Sequence, residues 1–408
     1  MVNREVIDQH AEEAAFLWTQ RDHATTAPQY ALNDLAKVDG RLEAQVDGLR
    51  IAGETGWVAA VAQLEEGRGE VFTAAALALE SDDADRKSRV VEIGVSKPPL
   101  AGSLVAAMGW LHPQRAAAEA RTMMAASDPE VRRMAIAGMA VHRLDPQAEL
   151  AIAIESPHAR LAARAMKAAA ELGRVDLLAA ISDWLSDESP LRRFWSAWAA
   201  VRLGGSYSSQ AVAILRAEVE AGSPFAERAL DLAMRAMPDE DAHHWRTQLS
   251  ANAATARAGV IAMGILGDPA GVVELIAAME QPTLARAAGN ALSMITGVDL
   301  GKEHLDGEAA ATDDEKDEFD IDSEFPFPAA AAVRSWWVKR AHNYVPGTRY
   351  LCGRPLTDVS LREVLVSGRQ NQRAAAALEL GVRHPAEVLF ETRERAQWQQ
   401  MKVSLWSS

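Results

Sequence analysis

A single cysteine, Cys352, stands among 408 residues, which excludes an internal disulfide and a thiolate metal cage and fits a reducing, cytoplasmic setting. Positive charge is also scarce. Lys and Arg number 42 against 57 Asp and Glu, a net charge of −15, so the chain lacks the cationic surplus with which proteins displace counterions from phosphate backbones. Nucleic acid is therefore not an expected partner. Long apolar runs are missing too: the longest uncharged stretch, Pro98 to Gln114, is short for a bilayer crossing and opens on two prolines. The first residues, Met-Val-Asn-Arg-Glu-Val-Ile-Asp, carry charges where a secretory signal would need an apolar core. No membrane partner and no export signal are expected.

What the chain does have is ordinary for a folded protein, with 49% apolar and 24% charged residues. It also has a recurring phrase. Ser or Asp with Pro is followed within a few residues by Arg and then by small and apolar residues at helical spacing. It reads Ser127-Asp128-Pro129 with Arg132 and Arg133, Ser156-Pro157 with Arg160, Ser189-Pro190 with Arg192 and Arg193, Ser223-Pro224 with Arg228, and Gln281-Pro282 with Arg286. The five prolines lie 28, 33, 34 and 58 residues apart, the last gap being two periods if the helix predicted over Asn252 to Leu266 is counted. A period of that size denotes stacked helical hairpins. Ser before Pro suits a helix start, because the hydroxyl accepts an orphan N–H and Pro has none to orphan. Each of these prolines is therefore expected to open a helix.

Apolar periodicity predicts two further helices near the start, one carrying Val6, Ile7, His10, Ala14, Leu17 and Trp18 and one carrying Leu32, Leu35, Leu42, Val46 and Leu49. Residues 1–53 thus read as an N-terminal helical hairpin and 54–298 as a repeat array with almost no strand signal. Residues 299–328 read as an acidic linker or insertion, because Asp299 to Glu324 holds 12 acidic residues and only two lysines; such a block is expected to stay solvated and mobile. Residues 329–408 read as a helical cap with a helix over Ala329 to Tyr344, a short extended piece at Tyr350 to Gly353, and a helical pair over Thr357 to Gly368 and Arg369 to Val382. An array needs such a cap to cover its last apolar face. The fold class expected is all-α, an α-solenoid.

Motifs that would carry chemistry fail on spacing. Glu155-Ser-Pro-His158 has the Glu-x-x-His spelling of helical di-metal sites, but Pro157 puts Glu155 before the helix, so the two side chains share no face. His243-His244 lacks a further ligand one turn away. Asp313, Glu315, Asp317, Phe319, Ile321 and Glu324 fall at the ligand offsets of a calcium loop, yet Glu318 stands where the turn needs glycine. Cys352 has no base and orienting group nearby in sequence. No metal, no cofactor and no catalytic set is expected, and the chain reads as a non-enzyme. The candidate partner-binding residues are the recurring arginines Arg132, Arg160, Arg193 and Arg228, the aromatic Trp195, and Asp313, Asp314, Asp317 and Glu318 of the acidic block. For the arginines the competing reading, pairing with carboxylates such as Glu130, Asp187, Glu188 and Glu227, is favoured. Phe194, Trp195 and Trp198 are expected in the core.

The phrase Asp128-Pro-Glu-Val-Arg-Arg-Met-Ala135 resembles the HEAT repeat, in which the second helix of each hairpin lines a concave face. Longer stretches resemble an uncharacterised bacterial family of HEAT-like proteins commonly encoded in type VI secretion clusters. They are Asn33 to Arg50, Ile295-Thr-Gly-Val-Asp-Leu300, Trp336-Trp337, Pro346-Gly-Thr-Arg-Tyr-Leu-Cys-Gly-Arg-Pro-Leu356 and Gly368 to Leu380. That resemblance implies a protein partner, a secreted effector or spike component, handled by an adaptor, chaperone or immunity protein. It implies no catalytic residues. An alternative expectation is a lyase-type enzyme or a small-molecule-binding protein on HEAT-like repeats.

Overall fold

Helix dominates because alanine and leucine fill the apolar positions and β-branched runs are few. The computed structural model describes residues 3–204, 208–308 and 321–406. Among these, the chain forms α-helices joined mostly by short turns, with a longer non-helical segment over 384–395 and one two-stranded hairpin, an all-α fold. It divides into two compact units, residues 1–203 with 385–408, and residues 204–384. The predicted segment 329–408 is thus shared between the units.

The first unit opens with α1 (Arg4–Ala24) and α2 (Leu32–Ala52), packed together as a hairpin. Leu32, Leu35, Leu42, Val46 and Leu49 are all buried, as their spacing predicts, whereas Val6 is exposed. There follow α3 (Glu54–Ala62), α4 (Arg68–Glu80), α5 (Ala84–Ser96), α6 (Ala101–Trp110), α7 (Pro113–Met124), α8 (Pro129–Val141), α9 (Ala148–Ile154), α10 (Ala159–Glu171), α11 (Leu178–Ser182) and α12 (Pro190–Leu203). One set of helices packs in series, α1 on α4 and then every second helix on the next: α4 on α6, α6 on α8, α8 on α10 and α10 on α12. These inner helices are rich in alanine, whose small side chain lets axes approach; Ala162, Ala163, Ala165, Ala168, Ala169 and Ala170 of α10 are all buried. Larger groups fill the remaining gaps. Trp18 stacks on Phe72 at 5.3 Å and Phe72 meets Trp110 edge-on at 5.6 Å.

In the second unit come α13 (Ser208–Glu220), α14 (Ala226–Ala236), α15 (Asp239–Ala251), α16 (Ala256–Leu266), α17 (Val272–Ala278), α18 (Pro282–Thr296), α19 (Ala330–Arg340), α20 (Asp358–Ser367) and α21 (Gln370–Arg383). Again α14 packs on α16 and α16 on α18. Between α19 and α20 the extended piece is a hairpin of β1 (Tyr350–Leu351) and β2 (Arg354–Pro355), antiparallel with Leu351 opposite Arg354. Its two loop residues, Cys352 and Gly353, both have positive φ, the geometry that matches strand twist. The hairpin tip donates from Cys352 N to Met294 O and from Gly353 N to Ile295 O, capping the end of α18. A last helix, α22 (Ala396–Ser404), packs on α2 in the first unit.

Two expectations need correction. Pro129, Pro190 and Pro282 do open helices, but Pro157 and Pro224 do not: α10 starts at Ala159 and α14 at Ala226. There the preceding Ser hydroxyl closes a tight turn instead, Ser156 Oγ accepting from His158 N and Ser223 Oγ from Phe225 N, and His158 Nδ1 takes over as the cap of α10. The acidic segment is also less solvated at its ends than its charge predicts. Asp322 is buried because the Arg257 guanidinium grips both its oxygens at 2.8 and 2.7 Å, and Arg286 donates to the Phe325 carbonyl.

Candidate functional site

The inner helices of the first unit line a cleft of about 250 Å³. Its floor is small and apolar: Gly102, Val105, Ala106 and Gly109 from α6, Ala137 and Val141 from α8. Charged side chains from α1, α4 and α10 form its walls, and the segment 391–395 closes one side.

That segment reaches the cleft through main-chain bonds. Arg202 donates to the carbonyls of Pro385 and Glu387 at 3.2 and 2.8 Å. Arg143 Nε donates to Leu389 O at 2.7 Å, while Leu389 N donates to Glu171 O at 2.8 Å. Arg21 donates to Arg393 O at 2.9 Å, and Asp39 accepts from Ala396 N at 2.6 Å. Arg395 then lies over the Trp110 ring, 4.1 Å from its centroid, and donates to Trp110 O and to Glu43. Buried arginines hold main-chain oxygens here because each guanidinium offers five donors in a fixed fork. Burial, with Arg143 nearby, pulls the Arg202 guanidinium down to about 10.

Glu171, at the end of α10, is the electrostatic centre of one wall. Arg164 holds it at 3.1 Å, Arg143 at 3.6 Å and Lys167 at 3.8 Å. Burial alone would push its carboxyl up; the fields of Arg164, Lys167 and Arg143 more than offset this and bring it down to about 2. At the other wall Arg68 and Arg393 share one carboxylate, Asp22, at 3.0 and 3.7 Å. Arg21 with Asp39, Arg395 with Glu43 and Lys402 with Glu394 are matched pairs. Apart from these, five cations of the cleft (Arg68, Arg143, Arg164, Lys167, Arg393) face three carboxylates (Asp22, Glu171, Glu391). The cleft is cationic on a chain whose net charge is −15.

Among the described residues that line this cleft there is no hydroxyl, thiol or imidazole. A fully ionised Glu171 is a poor proton acceptor at neutral pH. The arrangement suits recognition of an anionic, partly apolar group.

None of the arginines of the recurring phrase lines the cleft. Arg132 lies 3.9 Å from Glu149 beside a shallow groove with Ile152 and Pro157. Arg160 lies 3.6 Å from Glu130, which Arg133 also holds. Arg193 donates to Asp187 O and Arg192 to the Asp187 carboxylate. Arg228, on α14 of the second unit, also has an electrostatic or hydrogen-bonded partner. Trp195 is buried against Phe194 and Trp198, with Lys167 Nζ 5.0 Å from its ring. Asp313, Asp314, Asp317 and Glu318 lie outside the described residues. The cations that do line the cleft sit deeper in their helices: Arg164 and Lys167 follow Arg160 by one and two turns. A signal for them existed, since Arg164, Lys167 and Glu171 fall on one helical face at offsets of three, four and seven.

The other candidate positions carry no reactive geometry. Glu155 ends α9 and His158 starts α10; His243 is 4.0 Å from Asp268 and His244 meets Gln248. Burial pushes the Cys352 thiol up to about 12. Among the described residues no group of three or more His, Cys, Asp or Glu is placed to hold a metal, and no helix is long and apolar enough to cross a membrane. No family model, curated protein or solved structure matches the chain.

Proposed function

We propose that this chain is a non-enzymatic protein-binding scaffold, a HEAT-like α-solenoid acting in the bacterial cytoplasm as a type VI secretion accessory that escorts or neutralises an effector. The cationic cleft of the first unit is the observation that carries the binding role: it pairs surplus positive charge with a small apolar floor. The inner helices that line it, stacked one on the next, support the solenoid reading, because stacked hairpins create long faces on which a partner can lie. The secretion setting rests on the sequence resemblance of Asn33 to Arg50 and of the 346–380 words.

Affinity capture of the tagged chain from its source bacterium, at low and at moderate salt, tests this. A single effector or spike component released by salt is the expected outcome, since rim charges act through screened fields. Absence of any specific protein at both salts would remove the scaffold reading.

A further inference from the structure

The chain displays one example of what its cleft accepts. Glu391 arrives on a non-helical segment whose main chain is held by arginines, and its carboxylate lies 3.2 Å from Arg143. Cationic surplus remains at both walls, where Arg68 and Arg393 share Asp22, and where Arg143, Arg164 and Lys167 share Glu171 and Glu391. Between the walls lies the apolar floor of α6 and α8.

We infer that this cleft binds an extended acidic peptide segment of a partner protein, with two carboxylates meeting the two walls and small apolar side chains lying on the floor between them. The walls stand on α4 and α10, three helix spacings of about 8–10 Å apart. Less the reach of two long side chains, an extended segment covers that distance in about five residues, and residues four apart on it point the same way. The inference rests on the binding-scaffold reading and gives it a partner chemistry: charge complementarity selects acid, and the floor of glycine, alanine and valine selects small apolar groups over bulky ones.

The probe is an acetylated, amidated pentapeptide, Glu-Ala-Val-Ala-Glu, titrated onto the full chain with tryptophan fluorescence as the readout; Trp18 and Trp110 line the cleft under Arg68 and Arg395. Binding at low salt is expected, weakened at least about tenfold by replacing both Glu of the peptide with Gln and by raising salt. Gly102→Glu supplies a blocked cleft in a folded protein: a Cβ at Gly102 meets nothing within 4 Å, and Glu suits the first turn of a helix. This variant should melt at the temperature of the parent and lose the peptide; Arg68→Gln with Lys167→Gln should also lose the peptide, at a somewhat lower melting temperature because Lys167 helps to hold Glu171 and Arg68 holds Asp22. Undetectable binding at low salt, equal affinity for the Gln peptide, equal competition by inorganic phosphate, or unchanged binding in Gly102→Glu would each overturn the inference. None of these outcomes touches the capture experiment, whose failure would instead remove the scaffold reading itself.

Discussion

Arg143 donates from Nε to the main-chain oxygen of Leu389, 246 residues further along the chain, at 2.7 Å. The same side chain reaches Glu171 at 3.6 Å and Glu391 at 3.2 Å and donates to Ala140 O at 2.8 Å. One guanidinium thus ties the end of α8, the end of α10 and the returning segment together. Its side chain is 9% exposed, so the charges it serves would be left desolvated if it were removed.

Arg143→Ala should lower the unfolding free energy by about 3 kcal/mol, the scale of breaking a buried, hydrogen-bonded charge cluster. Urea unfolding reads the loss. Amide exchange localises it: the Leu389 N–H, bonded to Glu171 O, should exchange faster, while amides of α16 and α18 should not change.

Glu171 makes the first unit sensitive to acid. Its carboxyl is held at about 2, against 4.5 for an ordinary glutamate. A carboxyl with a depressed folded value stabilises above its unfolded value and loses that contribution as pH falls through the folded one. The stabilisation is therefore complete above pH 4.5 and drains away toward pH 2, amounting to about 3 kcal/mol at one pKa unit per 1.4 kcal/mol. Glu171→Gln should flatten this part of the stability profile and be less stable at neutral pH, because Arg164, Lys167 and Arg143 would then repel one another. An unchanged acid limb in the variant would remove Glu171 as its source.

Gly173 follows α10 with φ +68, and a Cβ there would meet Ala386 O at 2.5 Å. Gly173→Ala meets both a left-handed backbone and the returning main chain, and should cost about 1–3 kcal/mol. Gly40, inside α2 with nothing within 4 Å of a Cβ, provides the contrast. Gly40→Ala should gain about 0.5–1 kcal/mol from helix propensity alone. Thermal melts of the two variants check the opposite signs, and limited proteolysis should cut the 385–395 segment earlier in Gly173→Ala.

Cys352 should be chemically quiet. Its thiol is pushed from 9 to about 12 by burial, which lowers the thiolate fraction near pH 8 by about a thousandfold. Labelling with a thiol reagent should be correspondingly slow in the native protein and normal in urea.

Much of the helical layout was legible because helix patterning is local. Leu32, Leu35, Leu42, Val46 and Leu49 announce their shared face by spacing alone, and Asp128-Pro129 announces a helix start by its capping chemistry. Ser156-Pro157 and Ser223-Pro224 misled because a Ser–Pro turn and a Ser–Pro helix start use the same two residues; which forms depends on whether the next residue caps, as His158 does. The candidate site was mostly hidden. The arginines at helix starts drew notice by repetition and are occupied by near neighbours such as Glu130 and Asp187. Arg143, which helps build the cleft, belongs to no repeat and binds main-chain oxygens that any sequence at 385–395 would offer. Contacts of that kind leave no mark on residue type.

The returning segment also sets an order of events in time. The helices α1 to α12 leave the ribosome long before residues 385–396, so Arg202, Arg143, Glu171 and Asp39 must wait for partners that are made only after residues 204–384. Until those residues arrive, the first unit holds buried charge without its full set of bonds. A chain cut short anywhere before Pro385 would carry that defect permanently, however complete its first 203 residues, and would be marked for degradation by its own instability. The returning segment thereby ties completion of the first unit's bonds to the prior synthesis of residues 204–384, which lie between its two parts.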